Sequence, residues 1–221
     1  LFRRSKTAFA GTLLSGLVGG SFWSLGAIYA ARVTTDLSQA VSLVAFALIG
    51  GACFQYPIGW LSDQFDRRLV MFLLCLLGTV SCGFVAVTAG SSYQLLAMLL
   101  FGGTTLPIYA LSLATAADNA AKDEFIILGT SVILLNALGS ALAPLFLGSV
   151  MSEFGPSALF WSFSMLCVAL TVYVGVQYHD GSAATSEQQL PYAVFSQDIA
   201  PLGLELDPRG PEDFEDGYQF E

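Results

Sequence analysis

Charge is missing from long stretches of this chain. Asp, Glu, Lys and Arg make up only 11% of the 221 residues. None of them occurs in 7–31, 37–62, 69–117, 125–152 or 154–179. A water-facing surface cannot be built from runs of that length without charge, which excludes a soluble globular fold. Histidine is nearly absent as well. His179 stands alone at the edge of the last apolar run and is read as a surface residue, not a proton carrier. The four cysteines, Cys53, Cys75, Cys82 and Cys167, all fall inside apolar runs with no metal-type spacing, so they are read as small packing residues. Nothing in the chain calls for a metal or an organic cofactor. No Asp, Glu, Lys or Arg sits in the middle of any run, although such charges usually mark proton relays and ion sites. If the whole protein is proton-driven, its titrating carboxylate is expected elsewhere. An initiator methionine is also lacking, which suggests a chain cut from something longer.

The apolar runs themselves are what remains. A bilayer core of about 30 Å takes roughly 20 helical residues to cross. The run from Leu69 to Ala117 is long enough for two crossings, and Gly90-Ser91-Ser92-Tyr93-Gln94 supplies a polar turn between them. The sequence therefore predicts an all-α integral membrane protein, a bundle of six transmembrane helices within residues 1–179. The expected spans are about 7–31, 38–62, 69–89, 93–117, 125–151 and 157–178. The first is too long for a signal peptide, and five more follow it. Six crossings put Arg3, Arg4, Lys6, Arg67, Arg68, Lys122 and Arg209 on one side and only Arg32 on the other. The positive-inside rule then places both termini in the cytoplasm. Acidic residues beyond 179 carry all of the net charge of −9. The 180–221 segment, rich in Gly, Pro, Ser and Gln, reads as an acidic, disordered cytoplasmic tail and makes nucleic acid an implausible partner.

The six spans differ in character. The third and sixth are rich in Leu, Val, Phe and Met and read as peripheral, lipid-facing helices. The first carries a stripe of Gly11, Ser15, Gly19, Gly26 and Ala30, with Gly16 and Gly20 as a second ridge. Such stripes let helix backbones approach closely in lipid, where dispersion drives packing. The fifth has a comparable face of Gly129, Asn136, Ser140 and Ala143. The fourth combines Thr105, Tyr109 and Ser112 with Gly102, Gly103 and Pro107. Pro107 removes a backbone donor and crowds the Gly103 carbonyl, which predicts a kink. Polar, flexible first and fourth spans beside greasy third and sixth spans suggest a three-plus-three repeat, as in many secondary transporters.

Between the second and third spans lies Gly59-x-Leu61-x-Asp63-x-x-Asp66-Arg67-Arg68. Asp63 ends one helix where it can meet the positive N-terminus of the next. Arg67 and Arg68 can pair with acids or anionic headgroups. This decapeptide resembles the signature loop of the major facilitator superfamily, which joins the second and third helices of each six-helix half. Gly59, Leu61, Asp63, Arg67 and Arg68 match. Asp66 stands where the general pattern has Gly, and Asp tolerates a left-handed backbone. The stretch from Leu106 to Ala114 followed by Asp118-Asn119, with Leu206-Asp207-Pro208-Arg209 in the tail, resembles a bacterial branch without an assigned substrate.

The resemblance implies one half of a twelve-helix transporter that works by alternating access on a small solute. The tail after the sixth span suits the C-terminal half, so the partner would be a missing N-terminal six-helix half. The intact protein is expected to be monomeric in the inner membrane and not an enzyme. The resemblance also implies that the loop latches the two halves, and that the first and fourth helices line the cavity. Candidate lining residues are Ser15, Trp23, Tyr29, Thr105, Tyr109 and Ser112, with Gln55 and Asn136 reaching in from the second and fifth spans. Each could instead make an interhelical hydrogen bond. An intramembrane serine protease is disfavoured because His179 lies at the wrong depth. A channel is disfavoured because no paired half-helix or filter run is present. A scaffold acting through the acidic tail remains the alternative.

Overall fold

The computed structural model describes residues 6–118 and 125–179; the expected tail, Arg3, Arg4 and Lys122 lie outside the described residues. All described elements are helices: α1 (Lys6–Val33), α2 (Leu37–Gln64), α3 (Arg67–Val87), α4 (Gln94–Thr105), α5 (Pro107–Asp118), α6 (Phe125–Phe154) and α7 (Ser157–His179). Taken with α4 and α5 as one span, six helices are long and apolar enough to cross a membrane.

Local chemistry sets the boundaries. Asp36 precedes α2 and its side chain accepts from Ser38 N at 2.9 Å. Asp66 precedes α3 and accepts from Arg68 N at 2.8 Å. Both occupy freed amides of a first helical turn. Asp66 has φ −54° and ψ 119°, so the left-handed backbone that Asp tolerates is not adopted, and the residue acts as a cap. The left-handed positions go to Gly90 (φ 75°) and Gly155 (φ 89°), in the turns before α4 and α7. The fourth span breaks at Leu106, one residue before Pro107, whose ring cannot continue the hydrogen-bond ladder.

The helices pack as three principal pairs: α1 with α6, α2 with α4, and α3 with α7. The first two pairs are the same interface twice. A Cβ on Gly16 would strike the Asn136 backbone, just as one on Gly102 would strike the Ala47 carbonyl. Gly139 sits against Leu13 O as Gly50 sits against Leu99 O. Gly20 meets Ser140 as Leu106 meets Gly51. The first span therefore matches the fourth in register, Leu13-Leu14-Ser15-Gly16 on Leu99-Leu100-Phe101-Gly102, and the second matches the fifth. The three-plus-three arrangement suggested by helix character is present residue by residue. Gly16 and Gly20, four apart, are the ridge that meets α6, the small-residue spacing that suits close helix approach in lipid.

In their most apolar stretches, 67% of residues in the first span and 72% in the fourth are buried. The second and fifth are the open ones, at 28% and 17%. The third and sixth, read from the sequence as peripheral and lipid-facing, fall between at 50% and 39%, with α3 and α7 lying against each other. Phe22, Phe101, Phe160 and Phe163 form the aromatic centre between α1, α4 and α7, with ring centroids 5.1 to 6.0 Å apart.

Candidate functional site

The loop from Gly59 to Arg68 gathers its charges at one end of the bundle. Arg67 is the first residue of α3 and only 2% exposed. A buried guanidinium at a helix N-terminus is doubly unfavourable, through lost hydration and the helix dipole, unless anions surround it. Two do. Its Nη1 donates to both carboxylate oxygens of Asp118 at 2.9 Å, and Nη2 donates to Asp63 Oδ1 at 3.1 Å. The Asp118 side chain is 4% exposed and that of Asp63 38%. The two acids come from the last turn of α2 and the C-terminal residue of α5, so one cation ties three helices together. Gly59 is buried and its carbonyl accepts from Ser62 Oγ at 2.9 Å. Leu61 packs on the core. Arg68 is half-exposed and enters none of these ion pairs. Sequence reasoning looked for the loop's partners in helices outside this chain; the structure finds Asp118 inside it. The available signal was position, since Asp118 closes the long uncharged run 69–117.

The residues picked as cavity-lining divide into groups. Tyr29 is fully buried; its hydroxyl accepts from Gln94 Nε2 at 3.0 Å, and its ring lies 4.6 Å from that of Phe160. Gln94 Oε1 in turn accepts from Gly90 N at 2.9 Å, closing the end of the bundle opposite Arg67. Thr105 and Ser112 are buried, donating to Phe101 O and Ile108 O of their own helical turns, each at 2.7 Å. Tyr109 is 8% exposed and packs with Phe9, Leu128 and Val132. Trp23 is 48% exposed beside Phe22, and Gln55 is half-buried.

Ser15 and Asn136 are brought together. Asn136 Nδ2 donates to Ser15 Oγ at 2.9 Å and to Thr12 O at 3.4 Å. Ser15 Oγ itself donates to Thr12 O at 2.7 Å. Thr12, which the sequence reading passed over, is fully buried, and its Oγ1 has no hydrogen-bond partner. Next along the same seam, Ser140 Oγ donates to Gly16 O at 3.2 Å.

Known proteins share this framework. An uncharacterised MFS-type transporter, YcaD of Escherichia fergusonii, is 25% identical over 161 residues, covering 72% of this chain and 41% of that protein. An uncharacterised MFS-type transporter of Enterobacter sp. strain 638 is 23% identical over 158 residues, with the same coverage. The chain thus spans about two-fifths of the length of these relatives. Among solved structures, an auto-inhibited POT family peptide transporter superposes with a TM-score of 0.71 at 13% identity, covering 88% of this chain and 39% of that one. The POT family transporter PepTSo gives 0.69 at 17% identity, covering 93% and 45%. At such identities the likeness is one of fold. The sequence profile of the Major Facilitator Superfamily matches residues 8–206. With that match over most of its length, the chain belongs to the Major Facilitator Superfamily, as a multi-pass membrane protein.

Proposed function

We propose that this chain is one six-span half of a secondary transporter, which moves a small solute across the cell (inner) membrane by alternating access. In this reading both termini are cytoplasmic, no chemical step is catalysed, and the partner is a second six-span unit within one monomeric protein. The polar tail after the sixth span favours the C-terminal half. The observation that carries the reading is the buried Arg67 tie to Asp118 and Asp63 at one end of a bundle with twofold-repeated packing. Such a tie holds α2, α3 and α5 together at one membrane face, and in this reading it is remade whenever that face opens. The second and fifth spans, open along most of their length, are the surface that a second unit would cover.

The test is Asp63→Asn in the whole protein, reconstituted in vesicles, with conformational exchange followed by a fluorophore pair across the two halves. Insertion is expected to be normal and exchange slowed. Exchange at the wild-type rate would remove the latch from the mechanism. Orientation is tested separately with Arg68→Cys, which an impermeant maleimide should label only after the membrane is permeabilised.

A further inference from the structure

The repeat provides an internal control for the α1–α6 seam. In the register set by the glycine contacts, Thr12, Ser15 and Asn136 correspond to Met98, Phe101 and Ala47 at the α2–α4 seam. The α2–α4 seam closes just as tightly around Gly50 and Gly102 with three apolar, buried side chains. Packing of this geometry therefore does not require polar groups. The α1–α6 copy carries three of them, one being a buried hydroxyl whose oxygen meets no partner, at a cost of about 1–3 kcal/mol for its desolvation. The other buried threonine and serine hydroxyls of the fourth span, such as Thr105 and Ser112, bond a carbonyl of their own helix. Thr12 does not.

We propose that Thr12, Ser15 and Asn136 form a solute-recognition site for an uncharged hydroxyl or carboxamide group, a deepening that rests on the transport reading above. Asn136 has both a donor and an acceptor on one planar group, Ser15 and Thr12 have hydroxyls that do either, and the three bring no net charge. That inventory matches a neutral group that both gives and takes hydrogen bonds. An ammonium or carboxylate would be left without a counter-charge in a low-dielectric seam. Asn136 is half-buried and forms the open edge, while Thr12 is covered in this conformation. The open Thr12 oxygen is satisfied when the solute group enters.

The whole protein, purified in detergent, is heated with matched probes: D-glucose as the uncharged member, with D-gluconate and D-glucosamine as its charged counterparts. D-Glucose is expected to raise the unfolding midpoint and the charged pair is not. Asn136→Ala, the residue the repeat carries at Ala47, removes the hydrogen bonds to Ser15 and Thr12, and should lower the unliganded midpoint only slightly while losing the shift. Thr12→Val, which keeps shape and removes the hydroxyl, should weaken the shift. A shift by either charged sugar, a glucose shift that survives Asn136→Ala, or no glucose shift at all overturns the site. A collapse of the unliganded midpoint in Asn136→Ala, as large as that of Gly16→Val at the same seam, also overturns it, by giving the polar set a packing role. Vesicle flux separates the two readings. Binding that depends on Asn136 without glucose flux leaves the site standing and sinks transport; flux indifferent to Asn136 does the reverse.

Discussion

Arg67 is the residue on which most depends. Its burial costs several kcal/mol in desolvation, and that cost is offset only while the acids stay ionised and in place. Asp118→Asn should destabilise the bundle by about 3–5 kcal/mol, the range for breaking a buried pair on one side. Thermal unfolding in detergent checks this. Asp63→Asn should lower the midpoint less, because the Asp63 carboxylate is over a third exposed and solvent already screens it. Asp66→Ala removes a cap and should cost about 1 kcal/mol. The residue scale is where the sequence was least legible. Ser15, Tyr29, Thr105 and Ser112 looked alike as polar groups in lipid. Ser112 and Thr105 satisfy themselves within one turn, Tyr29 finds Gln94 across 65 positions, and Ser15 finds Asn136 across 121. Only the first kind of partner is local, and nothing in a single span says which kind it will use.

At the scale of elements, helix bounds were readable because charge and turn residues mark them: Asp36, Asp66, Gly90 and Gly155 each fall at a junction. Pairing was not readable. The repeat lies in the text as Leu-Leu-x-Gly at 13–16 and 99–102, yet its meaning depends on contacts between helices far apart in sequence. The glycine register makes a sharp prediction. Gly102→Val or Gly50→Val forces a branched side chain into a neighbouring backbone carbonyl and should separate α2 from α4. Loss of the folded, monodisperse peak in detergent is the expected result. Gly83→Ala is the control, since its Cβ would meet only Trp161 at an ordinary 3.8 Å; it should fold normally. The surroundings of the greasy third span were not readable for a related reason. Apolar composition suits lipid and helix neighbours equally well, so hydropathy could not tell α3's contact with α7 from contact with acyl chains.

At the scale of the whole molecule, both ends of the bundle are closed by different means. One end is tied by charge through Arg67. The other is filled by Tyr29, Gln94 and the phenylalanine cluster. The two closures should respond differently to salt. Because the Arg67 pairs are largely buried, raising the salt concentration should leave thermal stability nearly unchanged, whereas a screened surface network would weaken. A steep salt dependence of the unfolding midpoint would count against the buried geometry. The six-span plan and its family were legible from hydropathy and one loop, because lipid imposes length and the loop collects its charges. Of the proposed solute site, Ser15 and Asn136 were legible as candidate residues and Thr12 was not, since the outline comes from comparing two halves of one fold.

The exchanged pairing of the two repeats also bears on how the protein is made. Helices leave the ribosome in order, but the first pairs chiefly with the fifth and the second with the fourth. A nascent chain halted after the third span therefore holds Gly16, Gly20 and Gly50 with none of their partners yet synthesised. Those bare ridges are covered only once the fourth and fifth spans have entered the bilayer. Until then the ridges stand open to any helix that can approach closely, since small residues favour such contacts in lipid.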